Sequence, residues 1–200
     1  MSIVLFLITG MALTLSLIGE TLKRGSDSVS FTVWKFFSYY TTLSNILVLI
    51  WFAALAFWPN HMIGKFALNA NVATAITFYI VTVGIANYLI YGWQKLSLFE
   101  RLSDLFVHAV TPIISLLYWV VNVEKETLQY SFLGYWLIFP LSYAAYTILH
   151  GRWSGFYPYD FTNLQELGIK KVCLTAMALT LSLIVGGTLF ILLGKIIERF

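Results

Sequence analysis

The sequence predicts an all-α integral membrane protein, a bundle of six transmembrane helices in a single domain. Three observations predict it. The 200 residues are 60% hydrophobic and only 10% charged, with a mean hydropathy of +0.82, whereas a soluble domain of this length carries far more charge on its surface. Six mainly apolar runs recur, each close to the ~20 residues that a helix needs to cross the hydrocarbon core. Aromatic residues make up 18% of the chain, as suits interface belts and packed membrane helices. The net charge of +3 is small and dispersed, which speaks against nucleic acid as a partner. The lone Cys173 excludes an intrachain disulfide and a cysteine-based metal cage, and is expected to pack within its apolar run. No cofactor and no metal is expected. The expected partner is the lipid bilayer, and the pattern leaves the oligomeric state open.

The spans follow in order. The first covers roughly 2–22, and the second roughly 32–58, ended by Trp58-Pro59-Asn60. The third covers roughly 71–93, the fourth 100–122 and the fifth 130–150. The sixth covers roughly 170–197, opened by Lys170-Lys171 and closed by Lys195, Glu198 and Arg199. The longest connection, 151–169, holds Pro158 and several aromatics and reads as an irregular interfacial segment. The first run lacks a positive leader and a clear small-residue cleavage site, so it reads as a span rather than a signal peptide. The octapeptide MALTLSLI occurs at 11–18 and again at 177–184. These two spans run in opposite directions, so the repeat is assigned to the few residue types that commonly fill spans.

Basic residues orient the bundle. Lys23, Arg24, Lys35, Lys95, Arg101, Arg152, Lys170 and Lys171 cluster around the odd-numbered connections; Lys65, Lys125, Lys195 and Arg199 lie on the other side. The positive-inside rule then places both termini outside. The expected location is the cell membrane, with multiple passes.

Polar stripes interrupt this apolar background. Ser38, Thr41, Thr42 and Asn45 are spaced i, i+3, i+4, i+7, one face of a helix. Hydroxyls alone are common helix glue. In the fourth span, Arg101, Asp104, His108, Thr111 and Ser115 form a second stripe. Ionisable residues inside a span are costly, normally face the protein interior and mark function. Asp104 lies one turn from His108 and can orient its imidazole. The plain alternative is an edge ion pair between Arg101 and Asp104 beside a packed histidine. At 1.5 Å per residue, Thr41 and His108 both lie about 12–14 Å below the same edge, so they can meet. Asn87 on the third span, and Tyr143, Tyr146, Thr147 and His150 on the fifth, come to the same half of the bilayer. Ser16 does so on the first span. His61, in a loop, reads as solvated.

A hydroxyl, an imidazole and a carboxylate are the parts of nucleophilic acyl transfer. Thr41 would attack, His108 would take its proton, and Asn45 or Asn87 would donate to the oxyanion. A site inside the bilayer suits a lipid ester. Zinc or haem held by His108 and His150 is disfavoured by their different depths. The competing class is a non-enzymatic protein that binds or transports a lipid or small molecule through the same pocket. A proton-coupled transporter also wants intramembrane Asp and His, but paired Gly/Pro breaks in the two halves are missing.

Three stretches carry a resemblance. They are WKFFSYYTTLSN (Trp34 to Asn45), HAVTP (His108 to Pro112) and HGRWSGFYPYDF (His150 to Phe161). With the six-span layout, they resemble the family of the androgen-induced gene product and the androgen-dependent TFPI-regulating protein, and its bacterial six-span relatives. The resemblance implies a membrane threonine hydrolase that cleaves fatty-acid esters of hydroxy fatty acids. It implies Thr41 as nucleophile and His108 as catalytic histidine; an ungapped alignment on Trp34-Lys35 brings Ser38 to the nucleophile position instead. Thr41, Thr42 and Ser38 thus all remain open as nucleophiles.

Overall fold

A computed structural model describes residues 1–91 and 97–199. Lys95 and the end of the expected third span lie outside the described residues. No strand occurs among the described residues, and six helical stretches are long and apolar enough to cross a membrane: Ser2–Lys23, Tyr40–Phe57, Ala70–Ile90, Leu98–Asn122, Tyr130–Ser154 and Leu164–Ile197. The protein is an all-α integral membrane protein with six spans. The chain clusters into two compact units, Met1–Thr127 and Leu128–Phe200, and each is described by itself.

In the first unit, α1 (Ser2–Lys23) is an uninterrupted span. Its Thr9, Thr14 and Thr21 hydroxyls donate to the carbonyls of Leu5, Gly10 and Leu17, which satisfies them without a partner helix. Ser28 caps α2 (Val29–Phe36) by accepting from the Phe31 N–H. The expected second span does not run unbroken from 32. The chain turns at 37–39, and Tyr39 is extended at φ −80°, ψ 136° before α3 (Tyr40–Phe57) begins. The local cause is visible at Ser38. Its N–H bonds Lys35 O at 2.9 Å and its hydroxyl donates to Trp34 O at 3.1 Å, tightening the end of α2 so that the helix stops.

A short helix, α4 (Met62–Leu68), occupies the connection that the sequence reads as a loop. His61 caps it, its Nδ1 accepting from the Ile63 N–H, so this histidine has a structural role. Trp51 ties α4 to α3 by donating to Ala67 O at 2.9 Å. Gly64 is required there, because a Cβ would lie 2.0 Å from Trp58 O. Next comes α5 (Ala70–Tyr91).

The fourth span is composite. Ser97 and Glu100 form a reciprocal capping box that starts α6 (Leu98–Leu105). A five-residue π turn, Phe106–Val110, follows, and α7 (Thr111–Asn122) completes the span with Pro112 in its first turn. The core of the unit includes Val48, Phe52, Ile80 and Trp119, all with 0% exposure. Trp119 donates to Thr74 Oγ1 at 2.8 Å, tying α7 to α5. In lipid such contacts act through close packing and hydrogen bonds, because apolar tails already surround the helices.

In the second unit, α8 (Leu133–Trp136) and α9 (Ile138–Ser154) share the fifth span, which breaks at Leu137. Pro140 falls in the first turn of α9, where its missing N–H costs no helical bond. Gly155, at φ +74°, ends α9 in the left-handed conformation. Asn163 caps α10 (Leu164–Ile197), which bends at Gly168 (φ +71°, ψ 161°). Cys173 is exposed rather than packed inside the protein.

Candidate active site

The break before α3 decides which hydroxyl is available. Ser38 lies on the α2 side of it, is fully buried, and spends its hydroxyl on Trp34 O. It therefore does not share a helix face with Thr41. Thr41 occupies the first turn of α3 and faces the π turn of the fourth span. Its Oγ1 lies 3.2 Å from His108 Nε2, and His108 Nδ1 lies 2.8 Å from Asp104 Oδ1. A carboxylate only accepts, so Nδ1 carries the proton and Nε2 presents its lone pair to the Thr41 hydroxyl. His108 is 17% exposed and Asp104 41% exposed, so the carboxylate sits at the wet edge and the imidazole further in.

Asp104 pairs with His108 rather than with Arg101, which is exposed. Asn87 on α5 lies beside Asp104, and Lys23 at the end of α1 adds positive charge nearby. Lys23 itself pairs with Glu100 at 3.3 Å. Four spans, carried by α1, α3, α5 and α6–α7, thus place groups around one imidazole.

The π turn explains the role of Asn45. The Thr111 N–H reaches back five residues to Phe106 O. In an α-helix it would bond Val107 O instead. Pro112 has no N–H to offer the carbonyls behind it. Val107 O is met from another helix: Asn45 Nδ2 donates to it at 3.3 Å, and to Thr41 O at 2.9 Å. One amide therefore couples the turn that carries Thr41 to the turn that carries His108. Both amide hydrogens are spent, so Asn45 is not free to donate to an oxyanion. Asn87 lies beside Asp104 instead. The first turn of α3 supplies a different source of positive potential. N–H groups there have no acceptor within the helix, and the N-terminal end of the helix dipole favours negative charge beside Thr41.

Gly84 completes the seat. A Cβ at this position would lie 2.6 Å from His108 O and 3.2 Å from Pro112 Cγ. Only glycine lets α5 come this close to the π turn. The sequence reading missed Gly84, and the available signal was a small residue in the third span one turn from Asn87.

The remaining expected site residues lie in the second unit. Tyr146 stands 5.4 Å from His150 between ring centroids, and Tyr143 stands 6.5 Å from Tyr146. His150 is buried, its Nδ1–H donating to Phe156 O at 3.3 Å. The Tyr157 ring lies against Gly151, where a Cβ would be 2.1 Å from Cε1. These contacts give His150 a local task, holding the chain reversal after α9. No group of three His, Cys, Asp or Glu residues able to hold a metal occurs among the described residues.

The chain matches no protein-family model, no curated protein and no solved structure.

Proposed function

We propose that the protein is a membrane-embedded lipid-ester hydrolase with Thr41 as nucleophile, His108 as general base and Asp104 as the group that orients the imidazole. The observation that carries this reading is the run of two contacts, Thr41 Oγ1 to His108 Nε2 at 3.2 Å and His108 Nδ1 to Asp104 Oδ1 at 2.8 Å. In the first half-reaction Thr41 Oγ1 attacks the ester carbonyl carbon while its proton passes to Nε2. The tetrahedral oxyanion develops beside the N-terminal turn of α3. It collapses to acyl-Thr41 as the leaving alkoxide takes the proton from Nε2. Water then releases the acid.

The resemblance noted above suggests an ester of a fatty acid with a hydroxy fatty acid as substrate. The position of the site among spans fits a substrate whose acyl chains arrive from the bilayer. The distribution of basic residues supports both termini outside, and the resemblance to bacterial six-span proteins suggests a bacterial inner membrane.

Labelling of the purified protein with a fluorophosphonate probe tests this reading. Wild type and Ser38→Ala are expected to label, and Thr41→Ala and His108→Ala to lose labelling. A folded wild type that does not label refutes the nucleophile assignment and leaves lipid binding or transport as the reading.

A further inference from the structure

Most hydroxyls on the spans satisfy themselves. Thr9, Thr14, Thr21, Thr74, Thr77, Thr180, Ser182 and Thr188 each donate to the carbonyl four residues back. The buried hydroxyls of Ser44, Thr111, Ser115 and Thr147 have no hydrogen-bond partner among the described residues, and of these Thr111 and Ser115, four residues apart on α7, are fully buried. For Thr111 the usual acceptor is Val107 O, which receives the Asn45 amide instead. Asn45 in turn has its Oδ1 buried and without a partner among the described residues, although the residue has 0% exposure. Unpaired polar atoms in such a setting are costly, so these three, one on α3 and two on α7, ask for an occupant.

Their placement identifies it. The facing sides of α3 and α7 are pinned at two levels. At one, Asn45 meets Val107 O, beside Thr41 and His108. At the other, Tyr118 packs edge-on to Trp51 and Phe52, at 5.2 and 5.5 Å between centroids. Thr111 and Ser115 lie on α7 between these levels, one and two turns beyond His108. An amide oxygen that accepts and two hydroxyls that donate or accept match the two to four polar partners that a buried water requires. The aromatic group beyond them offers no comparable partners.

We propose that Asn45 Oδ1, Thr111 and Ser115 form a built-in water site, and that it supplies the water that hydrolyses acyl-Thr41. This rests on the hydrolase reading above. A water drawn from this site, one to two turns beyond His108, bonds through its oxygen to the acyl carbonyl carbon while His108 Nε2 takes one of its protons. The tetrahedral intermediate then expels Thr41 Oγ1, which recovers the proton from Nε2, and the fatty acid leaves. Thr111 and Ser115 hold the water ready and take no part in forming the acyl-enzyme.

The test uses the full chain in detergent with p-nitrophenyl octanoate as probe. It reads the nitrophenol burst, the steady-state rate and the octanoyl adduct by intact mass. Thr111→Val and Ser115→Ala are expected to keep the wild-type burst, lower the steady-state rate at least tenfold and accumulate the adduct. Thr111→Ser is expected to restore turnover. Equal loss of burst and steady state in both variants, or no loss in either, overturns the proposal. Absence of burst and adduct in wild type overturns the hydrolase reading itself, and the water's role with it.

Discussion

At the residue scale, the candidate site depends on which groups are spent and which are open. Asp104 spends itself on His108, so Asp104→Asn is expected to lower esterase turnover on the order of 100-fold or more by disturbing the tautomer. Kinetics on an unchanged thermal melt would check this, and near-wild-type turnover would refute it. Asn45→Leu has a different signature. It strands Val107 O inside the unit and removes the tie to Thr41 O. The expected cost is about 1–3 kcal/mol of stability, read as a lower melting temperature together with lost labelling. Asp104 and His108 could be picked out from sequence because an ionisable residue within an apolar run is conspicuous, and helical rise places Thr41 of the neighbouring polar stripe at the depth of His108. The task of Asn45 could not, because it depends on which carbonyl the fourth span leaves unpaired.

At the scale of elements, two irregularities position the chemistry. The break at 37–39 makes Thr41 a first-turn residue, and the π turn at Phe106–Val110 turns His108 towards it. A π turn is an α-helix with one residue too many. Deleting Ala109 is therefore expected to restore the α-helical ladder and leave a folded protein, with circular dichroism unchanged and fluorophosphonate labelling abolished. Retained labelling would show that the π turn is dispensable. Gly84→Ala pushes a methyl group to within 2.6 Å of His108 O; labelling is expected to fall at least tenfold and the melting temperature to drop. Neither irregularity could be read in advance, since hydrophobic periodicity continues through both. Pro112 was visible as a lone proline, but its effect shows only with Thr111 bonded to Phe106 O. The short helix α4 was missed for a related reason. Seven residues are too few to show a period, and its fixed point, the Trp51 bond to Ala67 O, is a long-range contact.

At the scale of the whole molecule, six spans were legible because the bilayer sets a length that composition alone can meet. The grouping into Met1–Thr127 and Leu128–Phe200 was not, because it depends on which helices pack together rather than on where apolar runs fall. The proposed orientation makes a prediction at this scale. In a Cys173→Ser background, cysteines introduced by Ser2→Cys and Glu198→Cys are expected to react with a membrane-impermeant maleimide added to intact cells, and Ser26→Cys is expected to react only after lysis. The reverse pattern would invert the topology. Cys173 has a use of its own. It is exposed, it is the sole thiol, and it belongs to the second unit, whereas Thr41 belongs to the first. Maleimide and fluorophosphonate chemistries do not compete, so a chain that labels at Thr41 as proposed would take a donor dye in one unit and an acceptor dye in the other. Energy transfer between them would turn any rearrangement of the two units on lipid binding into a change of colour.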